Sequence, residues 1–288
     1  MITVSLVIPQ KIAAQAHAII AEDAKLIKIA DNFEFTEGPA VDSRGNVYFT
    51  DQPNDQILKL SVGGELEVFL TPSGRSNGLY FDTKDNLYAC ADALGQIWKI
   101  DANKNIQVLL KDFQGKRLNG PNDLWIDPKG GIYFTDPFYQ RSYWEHTSPY
   151  LSSENVYYLS PKGTTKIVAT GLDQPNGIIG TPDGSLLYVA DIGRQLTYNY
   201  QIGTNGNLSN QKLFVAMGSD GMTIDEQGNV YLTGDGVSVF DSTAKKIEHI
   251  KIDEPWTANV TFGGPDRDIL FITASKAIYR LAMKVKGN

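Results

Sequence analysis

The chain lacks the raw material for several common kinds of site. Cys90 is the sole cysteine among 288 residues. That excludes an intramolecular disulfide and a thiolate metal cluster. Histidine is scarce too, limited to His17, His146 and His249. Basic residues are outnumbered, 26 Lys and Arg against 33 Asp and Glu, for a net charge of −7. With no Lys/Arg block, nucleic acid and anionic membrane are poor partners. No apolar run approaches the length of a membrane span, and no stretch of the main body holds a 3.6 period with caps. Turn and strand chemistry is abundant instead, with 27 Gly and 14 Tyr. A composition that is 42% hydrophobic and 20% charged is globular and excludes overall disorder. The length is ample for a buried core.

Residues 1–24 stand apart. The apolar run Thr3 to Ile8 is followed by Pro9, Lys11 and Ala14-Gln15-Ala16. This resembles the tail of a secretory signal with an Ala-x-Ala cleavage site. Yet no Lys or Arg precedes the run, and the run is at the short limit. The segment is read as an N-terminal arm or a signal remnant, which leaves exported and cytoplasmic locations both open. Residues 25–288 are read as one domain.

That domain repeats itself. Glu37-Gly38-Pro39-Ala40-Val41-Asp42 leads to Gly45-Asn46-Val47-Tyr48-Phe49-Thr50-Asp51, and five further segments follow the same plan, starting at Asn77, Asn122, Asn176, Asp220 and Asn259. The spacings between starts are 40, 45, 54, 44 and 39 residues. Periods near forty, with several short β-branched and aromatic runs per unit, mark β-propeller blades. Between the first two runs sits Asp-x-x-Gly-Asn or a variant, a turn whose Gly or Asn accepts the left-handed position. Most units continue into a third strand, as at Ile57 to Leu60 and Val237 to Phe240, and a fourth is visible at Leu66 to Leu70 and Ile106 to Leu110. The sixth unit runs out near Met283, while Lys25 to Ala30 is a strand without a unit. The expected architecture is all-β: a six-bladed β-propeller of four-stranded blades, closed by this N-terminal strand beside Ala277 to Leu281.

In a propeller the first strand of each blade lines the central channel, so equivalent residues at its start meet in a ring. Here these are Glu37, Asn77, Asn122, Asn176, Asp220 and Asn259. None is apolar. Two carboxylates and four amides form a set of oxygen donors suited to a hard divalent cation such as Ca²⁺. The lack of His and Cys at these positions disfavours Zn²⁺ and Cu²⁺. Asn and Asp also begin strands for purely local reasons, but that does not account for Glu37.

Other patterns carry less. Gly74-Arg75-Ser76-Asn77-Gly78 fits a nucleophile elbow, but it precedes an inner strand and no histidine is placed beside it. It reads as a Gly-rich turn. His17 and His249 read as surface residues. The stretch Pro137 to Glu154, with Phe138, Tyr139, Arg141, Tyr143, Trp144, His146 and Tyr150, reads as a lid, a pocket wall or packing over a blade edge. Asp51, Asp92, Asp136 and Asp191 end second strands and read as structural caps.

Phe35-Thr36-Glu37-Gly38-Pro39, Asn119-Gly120-Pro121-Asn122-Asp123, Gln174-Pro175-Asn176-Gly177 and Ser219-Asp220-Gly221-Met222, in this order, resemble the gluconolactonase, regucalcin (senescence marker protein) and luciferin-regenerating enzyme family. The similarity spans about residues 25 to 283. It implies a six-bladed propeller with one divalent cation, Ca²⁺ foremost with Mg²⁺, Mn²⁺ or Zn²⁺ as substitutes, held by Glu37, Asn122, Asn176 and Asp220. The implied activity is hydrolysis of a small-molecule sugar lactone by a monomer or weak oligomer. Asp220 is then the candidate general base, and Asn77, Asn119 and Arg117 are candidates for binding substrate hydroxyls. Diisopropyl fluorophosphatase shares the ligand set, so phosphotriester hydrolysis and a non-catalytic calcium-binding scaffold are the alternatives. Its second calcium site involves a histidine with no match in the sixth repeat here.

Overall fold

The computed structural model describes residues 19–288. Among them, strands make up the regular structure, apart from three 3-10 turns of three residues each. No helix in the described residues is long and apolar enough to cross a membrane. The strands form six four-stranded antiparallel sheets, the blades of a six-bladed β-propeller.

Blade 1 comprises Thr36–Val41, Val47–Asp51, Gln56–Leu60 and Leu66–Leu70, and blade 2 comprises Ser76–Phe81, Leu87–Ala91, Gln96–Ile100 and Ile106–Leu110. Blade 3 has Leu124–Ile126, Ile132–Asp136, Asn155–Leu159 and Thr165–Ala169. Blade 4 has Pro175–Gly180, Leu186–Asp191, Leu196–Ile202 and Leu208–Val215. Blade 5 has Met222–Ile224, Val230–Gly234, Gly236–Phe240 and Lys246–Ile250. Blade 6 takes Thr257–Gly263, Ile269–Ala274 and Ala277–Ala282 from the C-terminal end, and its outer strand is Ile27–Ala30. That strand pairs Ile27 with Arg280, Lys28 with Tyr279 and Ala30 with Ile278, which is the closure the repeats call for. Ile19 is buried, its carbonyl accepts the Lys284 amide at 2.7 Å, and Ile20 bridges to Met283. Packing therefore begins before Lys25. His17 and the Ala14-Gln15-Ala16 triplet lie outside the described residues.

The first turn of blades 1, 2, 3 and 5 follows from its aspartate. Asp42 Oδ1 accepts the amides of Arg44 at 3.0 Å and Asn46 at 2.9 Å, and Asp225 repeats this with Gln227 and Asn229. Such Asx turns satisfy amides that no strand can pair. The sheets then stack through their apolar faces. Tyr48 and Ile57 of blade 1 pack with Leu79 and Trp98 of blade 2. Phe49 of blade 1 packs on Phe271 of blade 6, with ring centroids 5.6 Å apart, so the seam is as apolar as the other blade junctions. Cys90 lies inside this packing, fully buried, and burial pushes its thiol well up. It is no nucleophile at neutral pH.

Three of the four strand-ending aspartates are caps. Asp51 accepts the amides of Glu34 and Phe35, Asp136 those of Asn119 and Gly120 at 3.0 and 2.8 Å, and Asp191 that of Asp173 at 3.0 Å. Asp92 departs from the pattern, because its hydrogen-bond partners are side chains. Burial pushes Asp136 up to about 7. Between roughly pH 4 and 7 the folded chain therefore holds a proton that the unfolded chain releases, and stability falls as pH rises through that window. Thermal melts in chelator are expected to drop from pH 5 to pH 8. In Asp136→Asn the drop should be smaller by roughly 5 °C, the shift that about 2 kcal/mol gives in a domain of this size. An unchanged pH slope in that variant would remove the assignment.

Candidate active site at the upper mouth of the channel

Inner strands begin, and second strands end, at one mouth of the channel. Each inner strand carries a polar residue there, usually followed by glycine, and the glycines set how closely the blades approach. A Cβ on Gly38 would lie 2.0 Å from the Asn77 carbonyl oxygen, and one on Gly78 2.6 Å from that of Asn122. One on Gly177 would lie 2.7 Å from the Asp220 carbonyl, and one on Gly221 1.9 Å from Asn259 Cγ. The Gly78 amide donates to the Asn122 carbonyl at 2.7 Å, and Asn259 Nδ2 to Glu37 Oε2 at 3.3 Å. The circle runs from Glu37 through Asn77, Asn122, Asn176, Asp220 and Asn259 back to Glu37.

Threonine hydroxyls from the second strands fix this circle. Thr50 donates to the Asn77 carbonyl at 3.1 Å, Thr135 to that of Asn176 at 2.8 Å and Thr233 to that of Ala258 at 2.8 Å. Each reaches the next blade along, so three of the six junctions are pinned in this way. In blades 1 and 3 the threonine belongs to a Thr-Asp pair, of which the sequence reading used only the aspartate.

Glu37, Asn77, Asn122, Asn176 and Asn259 are almost fully buried, while Asp220 keeps part of its surface open. Burial, with Asp220 nearby, pushes the Glu37 carboxyl well up, and burial pushes Asp220 up to about 6. Asn176 and Glu37 offset part of that push, and Asp220 Oδ2 accepts the Trp256 indole N–H at 2.6 Å. The buried Oδ1 atoms of Asn77 and Asn176 have no hydrogen-bond partner. Two like charges and two unpaired acceptors converge, a strongly unfavourable arrangement that a cation relieves. Among the described residues no three His, Cys, Asp or Glu side chains form a metal-holding group. The donor set instead mixes two carboxylates with amide oxygens, which fits a hard ion.

A third carboxylate joins from below. Asp123, buried and pushed up to about 7 by that burial, accepts the Leu124 amide at 2.9 Å and lies within hydrogen-bonding reach of Asn259. The sequence reading missed it because its neighbour Asn122 occupies the repeat position. A cavity of about 920 Å³ is the channel entered from the opposite mouth. It is lined by Tyr80, Trp125, Ile224 and Arg267, and it ends on Asp123 and Asn259 beneath the ring. The chemistry-bearing side chains face the other way.

The aromatic stretch 137–154 crosses the upper mouth between blades 3 and 2. Tyr139 Oη accepts the Asn176 amide at 2.9 Å. His146 sits between Trp144 and Tyr150, with centroids 4.6 and 4.4 Å away. Asn119 ties the stretch down, its Oδ1 accepting the Leu151 amide at 2.9 Å and its Nδ2 donating to the Ser153 carbonyl at 3.3 Å. Arg117 donates to the carbonyls of Asp92 and Ala93 and lies over the Tyr150 ring. So the structure brings Glu37, Asn77, Asn122, Asn176 and Asp220 together, and places Arg117 and Asn119 under the loop beside them. Ser76 donates to the Ser73 carbonyl at 2.7 Å, is fully buried and begins the inner strand, so the Gly-x-Ser-x-Gly motif runs from a turn into that strand and presents no nucleophile. His249 is exposed on an outer strand.

Comparison with known proteins gives the fold and the site a family context. Residues 35–276 match the family model described as SMP-30/Gluconolactonase/LRE-like region. A gluconolactonase of Zymomonas mobilis is 27% identical, with 96% of this chain and 86% of that protein aligned. The structure of a gluconolactonase from Xanthomonas campestris superposes with a TM-score of 0.86 at 29% identity, covering 94% of this chain and 92% of that one. Diisopropyl-fluorophosphatase of Loligo vulgaris is 25% identical over 73% of this chain and 75% of its own length.

Proposed function

The chain belongs to the SMP-30/Gluconolactonase/LRE-like family, and we propose that it is a divalent-cation-dependent lactonase that opens sugar lactones. The observation that carries the reading is the pairing of buried Glu37 and Asp220 with the unpaired amide oxygens of Asn77 and Asn176 at the channel mouth. The gluconolactonase relatives supply the substrate class.

Glu37, Asn122, Asn176 and Asp220 would hold the ion, with Ca²⁺ the best match to the donor set. When bound, such an ion supplies a Lewis acid for the ester carbonyl. The chain's own side chains do the rest. Asp220 is the ring carboxylate that reaches solvent, so it meets the attacking water and takes its proton at Oδ1. The Trp256 indole fixes Oδ2 and hence the direction of that free oxygen. Asn77 Oδ1 accepts a substrate hydroxyl, and Arg117, whose buried Nε has no partner, donates to another. Asn119 contributes by holding the loop against the mouth. The aromatic rings of that loop limit the water around the reacting ester.

A screen of aldonolactones with and without chelator tests this. Turnover that is lost in chelator and restored by a divalent ion is expected. Hydrolysis of a fluorophosphate with no lactone turnover, or ion binding with no turnover at all, would overturn the reading. Asn77→Ala is expected to raise KM about tenfold with kcat changed less than threefold, because it contacts hydroxyls away from the reacting carbonyl. An equal fall in kcat and kcat/KM would count against that role.

A further inference from the structure

We propose that Arg141 recognises the negative charge that lactone opening creates, and that Asp92 is the positioning residue that holds it over the mouth. The inference rests on the lactonase reading above. In the reaction, water adds to the acyl carbon, the ring C–O bond breaks and the ring oxygen takes a proton. The acid so formed releases a proton. A neutral substrate thus becomes an anionic product through a state with charge on the acyl oxygen, and a fixed cation beside that oxygen favours both.

Asp92 is the first observation. Its counterparts Asp51, Asp136 and Asp191 cap backbone amides, whereas Asp92 gathers side chains from two different segments. Its Oδ2 accepts Gln52 Nε2 of blade 1 at 3.2 Å, Arg141 Nε at 3.3 Å and the Tyr143 hydroxyl. The carboxylate is 2% exposed and the Arg141 side chain 24%. A buried carboxylate that breaks its repeat to grip one loop arginine points to the arginine's other face.

That face is the second observation. Arg141 engages Asp92 through Nε, and among the described residues its terminal nitrogens have no protein hydrogen bond. The guanidinium lies 5.4 Å from the centre of the Tyr139 ring, and Tyr139 Oη accepts the amide of Asn176 at 2.9 Å. One aromatic ring therefore separates this cation from a ring residue. Arg75 and Arg117, the other arginines near the loop, donate their guanidinium hydrogens to backbone carbonyls. Arg141 is the one with a free fork, the geometry that matches a carboxylate.

The test is product inhibition. The aldonate of the fastest lactone is titrated against lactone hydrolysis in cation-saturated wild type, Arg141→Ala and Arg141→Lys. In Arg141→Ala the inhibition constant is expected to rise at least about tenfold, and kcat/KM to fall by about the same factor. KM for the neutral lactone should change less, and cation affinity by calorimetry should stay within about twofold. Arg141→Lys keeps the charge without the fork and should recover part of the loss. Asp92→Asn should reproduce the effect, and adding it to Arg141→Ala should cost nothing further, since both remove one device. If Asp92→Asn does not fold, Tyr143→Phe serves in the same cycle. Wild-type turnover with unchanged aldonate inhibition in Arg141→Ala would overturn the proposal alone. Additive losses would overturn the part given to Asp92. A wild type without lactone turnover would remove the lactonase reading and this inference with it.

Discussion

Asp220→Asn is expected to lose at least about two orders of magnitude in lactone turnover at saturating cation, the usual scale of a general-base contribution. The variant keeps one oxygen, shared between the ion and the Trp256 N–H, and puts an amide NH₂ where the carboxylate had its proton acceptor. It should fold, and it should bind the ion more weakly, since one of the two ring carboxylates is gone. The comparison requires a full cation titration. If excess ion restores near wild-type turnover, Asp220 is a ligand and not a base. The pH profile offers a second check. A base works when ionised, so activity rises with pH through its pKa. Burial, partly offset by the Trp256 hydrogen bond and other neighbours, pushes Asp220 up to about 6, and a bound cation draws it lower, so the acid limb should lie at or below pH 6. That limb should be missing from whatever activity Asp220→Asn retains.

Gly38→Ala should be nearly as damaging without removing any functional group. Gly38 has φ +39°, and its Cβ would meet two backbone atoms, the Asn77 carbonyl oxygen at 2.0 Å and Gly78 Cα at 2.7 Å. Neither can swing aside, so the inner strands of blades 1 and 2 must separate. The left-handed conformation and the overpacking together should cost roughly 3 kcal/mol or more. The separation moves Glu37 relative to Asn77, and displacements near 1 Å cost about 10²-fold in rate. Denaturant melts and turnover should fall together. Gly64→Ala isolates the conformational part, since Gly64 has φ +88° with open space around it, and should cost about 1 kcal/mol with no loss of activity. Equal effects from the two variants would mean that blade spacing at the ring is not what Gly38 protects.

The architecture was legible because each blade repeats the same alternation of strand runs and Asp-led turns, and a ring of equivalent positions follows from repetition itself. The closing strand was legible because the sixth unit lacked one. The outer half of blade 4 was not. Leu196–Ile202 and Leu208–Val215 carry Thr197, Asn199, Gln201, Asn210, Gln211 and Lys212 between their apolar residues, so the pattern is diluted where the strands face solvent. At the site, the repeats identified the residues that hold equivalent places and nothing that breaks the plan. Asp92 read as a cap because Asp51, Asp136 and Asp191 are caps. What diverts it comes from the 137–154 stretch, where no repeat exists to align. Asp123 was hidden by Asn122, the neighbour that holds the repeat position. The contacts of Asn119 with Leu151 and Ser153 depend on how that loop folds back, which no spacing encodes.

The hydrogen bond between Asn259 and Glu37 joins residues 222 positions apart, and it gives the site a place in time as well as in space. During synthesis, Glu37, Asn77, Asn122, Asn176 and Asp220 can all be present while the circle is still open. Glu37 is held in register by the Thr36 hydroxyl on the carbonyls of Ser275 and Ala277, and by Phe49 against Phe271. Those partners are made after all four proposed ligands. The proposed coordination shell would therefore be completed by blade 6 and not by its last ligand in chain order. A chain that stops short of Ala277 would carry all four proposed ligands and still hold the ion poorly. Because an ion that binds the closed ring would stabilise it by mass action, cation affinity would then report whether blade 6 has closed on blade 1.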